Sequence, residues 1–327
     1  MGVIGCESSA AARAAQPQSL AILGDLGGTH SRMGLARGGQ VLDECTRVYR
    51  NAQFDGPAAL LEAYCRDIGQ AGPVNALALA LAGPVKGDQG HMTNLGWAID
   101  GAALAGQLGA ERLALINDLQ AQALALPTLP ATSLSGLRPG TPAAPDACRL
   151  ALGIGTGFNI AVLHVVAGQL LAPPSEYGHA LLPQRSEAQR DLARWLAQHH
   201  PRPTIEEALA GRGLVALDAH LHGQGRPSPE IIAGLVAGEA KAMATGRLYA
   251  EALGTVLGDL ALSYLPHGGI YLIGGMARAL APHLLALGLE AAYRRPGERY
   301  DDILAGIGLH VVLDDAAALL GCAAALG

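Results

Sequence analysis

Lysine is almost missing from this 327-residue sequence: Lys86 and Lys241 are the two present, and the formal net charge is −6. No basic stripe is therefore available to neutralise a phosphodiester backbone, which excludes nucleic acid as a partner. Aromatic residues are as scarce, 4% of the chain, so Ala, Leu, Val and Ile must fill the core. Long apolar runs are lacking too. Val74–Val85 and Leu309–Leu313, which ends at Asp314, fall short of the roughly 18 residues that a bilayer span requires, so no membrane partner is expected. Cysteine is sparse and scattered: Cys6, Cys45, Cys65, Cys148 and Cys322 form no CxxC pair, and there is no HExxH. That pattern reads as reduced thiols of a cytoplasmic protein without a zinc site. The Val3-Ile4-Gly5-Cys6 box has neither a basic nor an apolar region before it, so it reads as an unprocessed start.

What is present is a globular composition, 50% hydrophobic and 15% charged. At roughly 150 residues per domain the length predicts two domains. Residues 1–18, rich in Ala, Ser and Gln, read as a flexible tail. Leu20–Gly24 is a short apolar run ending in Asp25-Leu26-Gly27-Gly28-Thr29; the alternating segments His30–Ala36 and Gln40–Tyr49 follow, separated by Gly38-Gly39. This is a β-meander. Asp55 precedes a predicted helix over Pro57–Ile68, and the all-apolar Ala76–Ala82 suits a strand buried on both faces. A second buried strand, Leu113–Ile116, ends at Asn117-Asp118, and the helix Leu119–Leu126 stops at Pro127. Gly136–Pro145 reads as a surface excursion. The meander pattern then recurs through Leu150–Leu152, Gly153–Gly157, Asn159–Val166 and Gln169–Ala172, which predicts a duplicated architecture. Beyond it lie helices over Glu187–Gln198, Ile205–Ala210 and Leu214–Leu221, and a long apolar stretch Ile231–Leu265. A strand and turn over Gly269–Gly275, a strand Leu309–Leu313 and a helix Ala316–Leu326 close the chain.

The glycines narrow the chemistry. Gly153-x-Gly155-x-Gly157 has dinucleotide-like spacing, but that motif must open a helix, and Asn159–Val166 is β-branched and strand-like. Neither lysine follows a Walker A spacing. What remains is a glycine turn between antiparallel strands. It is either a plain tight hairpin or a turn whose backbone N–H groups reach an anion. Two such turns, with Asp25, Thr29, Thr156 and Asn117-Asp118 at strand ends, favour phosphate: Asp25 offers a hard oxygen to Mg2+ through water, and Thr29 and Thr156 offer hydroxyl donors.

In these residues the sequence resembles the ATP-dependent bacterial glucokinases of the sugar kinase, heat-shock and actin ATPase superfamily, over nearly all of Leu20–Leu326. Gly24–Thr29 looks like the first phosphate loop, Leu115–Asp118 like the segment carrying the catalytic base, and Gly153–Gly157 like the second phosphate loop. Met92-Thr93-Asn94 with Trp97 is similar to a stretch typical of these enzymes. Pro174-Ser175-Glu176-Tyr177-Gly178-His179 is similar to their sugar motif, Glu206 before Ala208–Gly211 to a further sugar-contacting glutamate, and Gly274-Gly275 to the adenosine motif.

The resemblance implies an α/β chain with a two-domain actin-like ATPase (ribonuclease H-like) fold and an inter-domain active-site cleft. Residues 19–117 plus 312–327 would form the smaller domain and 118–311 the larger. It implies transfer of the γ-phosphoryl group of ATP to O6 of D-glucose with Mg2+, in a homodimer. Asp118 would be the general base, against the plainer role of a helix N-cap. Asn117, Asp118, Glu176, His179 and Glu206 would bind sugar, with Glu207 as the alternative one position on. Asp25, Gly27, Gly28, Thr29, Gly155, Thr156, Gly157, Gly274 and Gly275 would bind nucleotide, Asp25 also meeting Mg2+ through water. The sequence departs from the family pattern at His30, Phe158-Asn159 and Tyr177. Two other readings stay open: a catalytically weak sugar sensor of the same fold, and an actin-like or chaperone-like ATPase.

Overall fold

A computed structural model describes residues 19–92, 94–313 and 317–327. The expected tail over 1–18, Thr93 of the Met-Thr-Asn stretch and Ala316 at the start of the last expected helix lie outside the described residues. The chain divides into two compact units, one of the described residues up to Ile116 with Cys322–Gly327, the other Asn117–Gly321.

The first unit begins with β1 (Leu20–Leu26), β2 (His30–Arg37) and β3 (Gln40–Arg50). Its helix α1 (Pro57–Asp67) has Pro at its start, where the missing N–H is harmless, and buries Leu60, Leu61 and Tyr64. Then come β4 (Ala76–Leu81), β5 (Val85–Lys86), β6 (Gln89–Met92), β7 (Trp97–Asp100), α2 (Gly101–Gln107) and β8 (Arg112–Asn117). The main sheet runs β3-β2-β1-β4-β8, with β1 antiparallel to β2 and parallel to β4. Every residue of β4 is buried, as its unbroken apolar sequence requires of a strand covered on both faces. The small sheet β5-β6-β7 has no counterpart in the sequence reading, because strands of two and four residues carry no alternation.

The second unit contains α3 (Asp118–Ala125), β9 (Leu134–Arg138), β10 (Arg149–Ile154), β11 (Phe158–Val166) and β12 (Gln169–Leu171). Its helical part is α4 (Glu187–His199), α5 (Ile205–Leu209), α6 (Gly211–His222), α7 (Ser228–Val236) and α8 (Ala240–Tyr264). β13 (Ile270–Ile273), α9 (Gly275–Leu284), α10 (Leu289–Tyr293), α11 (Asp301–Gly306), β14 (Leu309–Val312) and α12 (Ala317–Ala325) complete the chain. The sheet order is β12-β11-β10-β13-β14-β9. Its first five strands repeat the order of the other main sheet: two antiparallel strands, then a third with a parallel neighbour. Each unit has its own apolar core, one built around Ile22, Leu77 and Tyr64, the other around Leu152, Leu253 and Leu272.

Three expectations need correction. Residues 136–138 are not a surface excursion but part of β9, the edge strand antiparallel to β14. Its Arg138 is buried and donates to the carbonyls of Leu304 at 2.7 Å and Ala305 at 3.0 Å at the end of α11; a cation satisfied by distant backbone leaves no periodic signal. The closing strand, expected with the smaller domain, pairs with β13 and β9 in the larger unit's sheet, where Leu309 and Val311 bury beside Ile270 and Leu272. The apolar stretch Ile231–Leu265 breaks into two helices at Gly238, whose φ of 70° ends a right-handed helix.

Candidate active site

Asn117 ends β8 and caps α3. Its Oδ1 accepts the Leu119 N–H at 3.0 Å while Gln120 Oε1 accepts the Asn117 N–H at 3.0 Å, a reciprocal cap that fixes the strand-to-helix corner. Asp118 is the first residue of that helix, and its Oδ1 also accepts the Leu119 N–H, at 2.8 Å. Burial pushes the Asp118 carboxyl above its ordinary value, against the hydrogen bonds from Leu119 and Asn117, and the charge of Glu176 pushes it further. Gln120 ties this corner to the chain that leads into the sugar motif, since its Nε2 donates at 2.6 Å to the carbonyl of Ala172.

That motif folds as a single 3-10 turn, Tyr177–His179, entered through Glu176. Gly178 sits against the Phe158 carbonyl so closely that a Cβ would collide with it. His179 is exposed at the end of the turn, and its charge reaches Glu207. Asn159, on β11, holds the turn from beneath. Its Oδ1 accepts the Tyr177 N–H at 3.0 Å, and its Nδ2 donates to the Ser175 carbonyl at 2.5 Å and to Glu176 Oε2 at 3.3 Å.

The glycine turn between β10 and β11 is closed by the Gly155 N–H to the Gly157 carbonyl at 3.0 Å, and the Gly155 carbonyl accepts the Gly211 N–H at 2.8 Å from the start of α6. Glu206 reaches this turn directly: its Oε2 accepts the Phe158 N–H at 2.9 Å and its Oε1 meets Arg212 Nη2 at 2.5 Å. Glu207 takes the other side of the same guanidinium, at 3.1 Å, and lies 3.4 Å from His200. Arg212 holds the Glu207 carboxyl below its ordinary value, with help from His200 and His179. Arg212 also lies 3.4 Å from the Thr156 carbonyl. Gly274 follows β13 and opens α9 with φ 107°, and a Cβ there would strike the Ile154 carbonyl just before the turn. Gly275 is the first residue of α9.

Asn117, Asp118, Glu176, His179, Glu206, Gly155, Thr156, Gly157, Gly274 and Gly275 thus all lie in the second unit. Asp25, Gly27, Gly28 and Thr29 belong to the first unit, where Asp25 is near the end of β1 and its charge reaches the buried Cys322 thiol. The Gly27 carbonyl accepts Asn51 Nδ2 at 2.7 Å, the Thr29 carbonyl accepts the Asn51 N–H at 3.0 Å, and Asn94 lies against Gly28. Sequence reasoning missed Asn51, Arg212 and the part played by Asn159. Asn51 and Arg212 act through contacts that no local pattern encodes; for Asn159 the available signal was an amide inside a β-branched strand, where Asn is disfavoured.

A sequence profile described as Glucokinase matches residues 22–327. The chain is 32% identical over 315 residues to a glucokinase of Nitrobacter hamburgensis, covering 93% of this chain and 96% of that protein. A glucokinase from an Antarctic psychrotroph superimposes with a TM-score of 0.84 at 26% identity, over 94% of this chain and 98% of the other. A ROK family glucokinase from Streptomyces griseus, solved with glucose and AMPPNP, shares the fold at a TM-score of 0.61 and 18% identity, over 93% and 98%. The mixed α/β chain has the two-domain actin-like ATPase fold of these proteins, and it belongs to the glucokinase family.

Proposed function

We propose that this chain transfers the γ-phosphoryl group of ATP to O6 of D-glucose, giving glucose 6-phosphate and ADP. Family membership supports the reaction, and the Streptomyces griseus neighbour that holds glucose and AMPPNP has the same fold. The observation that carries it is the Asp118 carboxyl, fixed at a strand-to-helix corner, raised in affinity for a proton and within reach of the charge of Glu176. A sugar hydroxyl is a poor nucleophile at neutral pH, and a carboxylate that receives its proton as the new bond forms lowers the barrier. Asp118 is assigned that step. Asn117, Glu176, His179 and Glu206 supply amide, carboxylate and imidazole groups to hexose hydroxyls, each of which both donates and accepts.

In the nucleotide assignment Gly27, Gly28, Gly155 and Gly157 let the backbone come close to phosphate, the Gly27 and Gly155 N–H groups closing their own turns on the His30 and Gly157 carbonyls; Thr29 and Thr156 add hydroxyls, and Gly274 and Gly275 let the backbone approach adenosine. Among the described residues no three His, Cys, Asp or Glu side chains gather as a metal cage. A single carboxylate ligand, the part assigned to Asp25, suits Mg2+, which keeps several waters and is held largely by substrate phosphates. The ion would offset charge on the β- and γ-oxygens. A cytoplasmic location accords with the unpaired Cys45, Cys65, Cys148 and Cys322, and no described helix is long and apolar enough to cross a membrane. The homodimer rests on family resemblance alone.

The test is ADP release in a coupled assay with ATP, Mg2+ and a panel of hexoses. Glucose-dependent release with glucose 6-phosphate as product is expected. Tight glucose binding without ADP release would replace the kinase with the sugar sensor, and glucose-independent hydrolysis would replace it with a conformational ATPase.

A further inference from the structure

We infer that Asn159 is a positioning residue for the sugar site, a clamp that sets the Glu176 carboxylate through the turn that carries it. The inference rests on the sugar-binding assignment of Glu176. Asn159 occupies the second position of β11, opposite Gly153 in the antiparallel ladder, immediately after the glycine turn assigned to phosphate. A ladder strand anchors its backbone, so the side chain projects from a fixed base. All of its hydrogen-bonding faces are engaged. Oδ1 accepts the N–H groups of Ile160 at 2.9 Å and Tyr177 at 3.0 Å; Nδ2 donates to the Ser175 carbonyl at 2.5 Å and to Glu176 Oε2 at 3.3 Å.

Three of these four bonds go to three consecutive residues, Ser175, Glu176 and Tyr177, so a single amide holds both the backbone of the bend and the acid on it. The amide suits the task because it offers donor and acceptor in one plane. A hydroxyl is too short to span the same groups, and a carboxylate would set an acceptor against the Ser175 carbonyl and a like charge against Glu176. The Tyr177 N–H has one other acceptor, Ser175 Oγ at 3.2 Å, which belongs to the bend itself and cannot anchor it to the sheet.

The experiment compares wild type, Asn159→Ala and the isosteric Asn159→Asp in the full-length protein. Asn159→Ala is expected to raise the glucose KM by about tenfold, the effect of losing one or two neutral hydrogen bonds, with the ATP KM at saturating glucose changed less than about twofold on the same warrant. Asn159→Asp, which keeps shape and acceptor but reverses the donor, is expected to raise the glucose KM at least as far. Amide hydrogen exchange in the ligand-free protein supplies a readout that needs no turnover: the Tyr177 amide should exchange faster in Asn159→Ala. Unaltered exchange at Tyr177, a glucose KM that stays at the wild-type value, or equal rises in both KM values would overturn the inference. Wild-type protein that phosphorylates no hexose would sink the kinase reading instead, and with it the sugar-site role, leaving exchange to report only on the clamp.

Discussion

The carboxylate of Asp118 has one observed role and one proposed one. One oxygen accepts the Leu119 N–H at 2.8 Å, as an acid in the first turn of a helix should, and the proposed reaction has the same side chain take a proton from substrate. These roles separate by substitution. Asp118→Asn keeps an oxygen for the helix amide but removes the base, so kcat is expected to fall about a thousandfold while glucose affinity, read by calorimetry, stays within a few fold of wild type. The stability change has a definite sign. Burial raises the folded carboxyl's pKa above its unfolded value, so the fold favours the protonated acid, and the ionised form costs stability at any pH above the folded pKa. Asp118→Asn should therefore melt no lower than wild type at pH 8. A base must be ionised to act, so kcat is lost as pH falls through that raised pKa, at a higher pH than an ordinary aspartate would give. An Asn variant that turns over normally would reject Asp118 as the base, and an acid limb in the usual carboxylate range would reject its raised proton affinity.

Between residue and molecule, the deciding feature is the strand end. β10 and β13 run parallel and in register from Leu150–Ile270 to Gly153–Ile273, so the turn after one and the Gly274 corner after the other emerge side by side. Gly274 combines φ 107° with a backbone approach to Ile154 that leaves no room for a Cβ. Gly274→Ala should cost about 2 kcal/mol from strain alone and raise the ATP KM by moving the corner against the Ile154 carbonyl. Gly288→Ala is the control: φ there is 99° with open space around the Cβ position, so it should lower the melting temperature and leave the ATP KM unchanged. An unaltered ATP KM in the Gly274 variant would remove the corner from the nucleotide site.

The same scale shows what the sequence could tell. The two meanders were readable because glycine turns separate alternating strands, and β4 because nothing polar interrupts it. β9 was not, because its Gly136 and buried Arg138 mimic a loop, and the partners that satisfy Arg138 lie more than 160 positions away. Asp118, Glu176 and Glu206 stood out as acids in family motifs. Asn159 stood out only as a departure from the family pattern and Arg212 not at all, since their meaning lies in what they touch: a clamp on the 175–177 bend, and a guanidinium shared by Glu206, Glu207 and the Thr156 carbonyl. Side-chain chemistry is local information, whereas these convergences arise only once the sheet is formed.

At the scale of the whole chain, the charge inventory bears on how the Mg2+ of the proposed reaction would be held. The 28 acidic residues outnumber the 22 basic ones, yet among the described residues no three potential metal ligands come together. Many of the acids are already engaged, as Asp218 is with Arg226 at 2.8 Å and Asp301 with Arg294 at 2.6 Å. Mg2+ should then bind as part of the nucleotide complex rather than to the protein alone. EDTA is expected to abolish turnover and added Mg2+ to restore it, while neither EDTA nor millimolar Mg2+ shifts the melting temperature of the ligand-free protein. ATP with Mg2+ should shift it, since a ligand at a hundredfold over its Kd stabilises by about 2.7 kcal/mol. If EDTA lowers the melting temperature of the ligand-free protein, a metal is bound in the fold itself, and the assignment of Asp25 as a contact made through water to a nucleotide-borne ion fails.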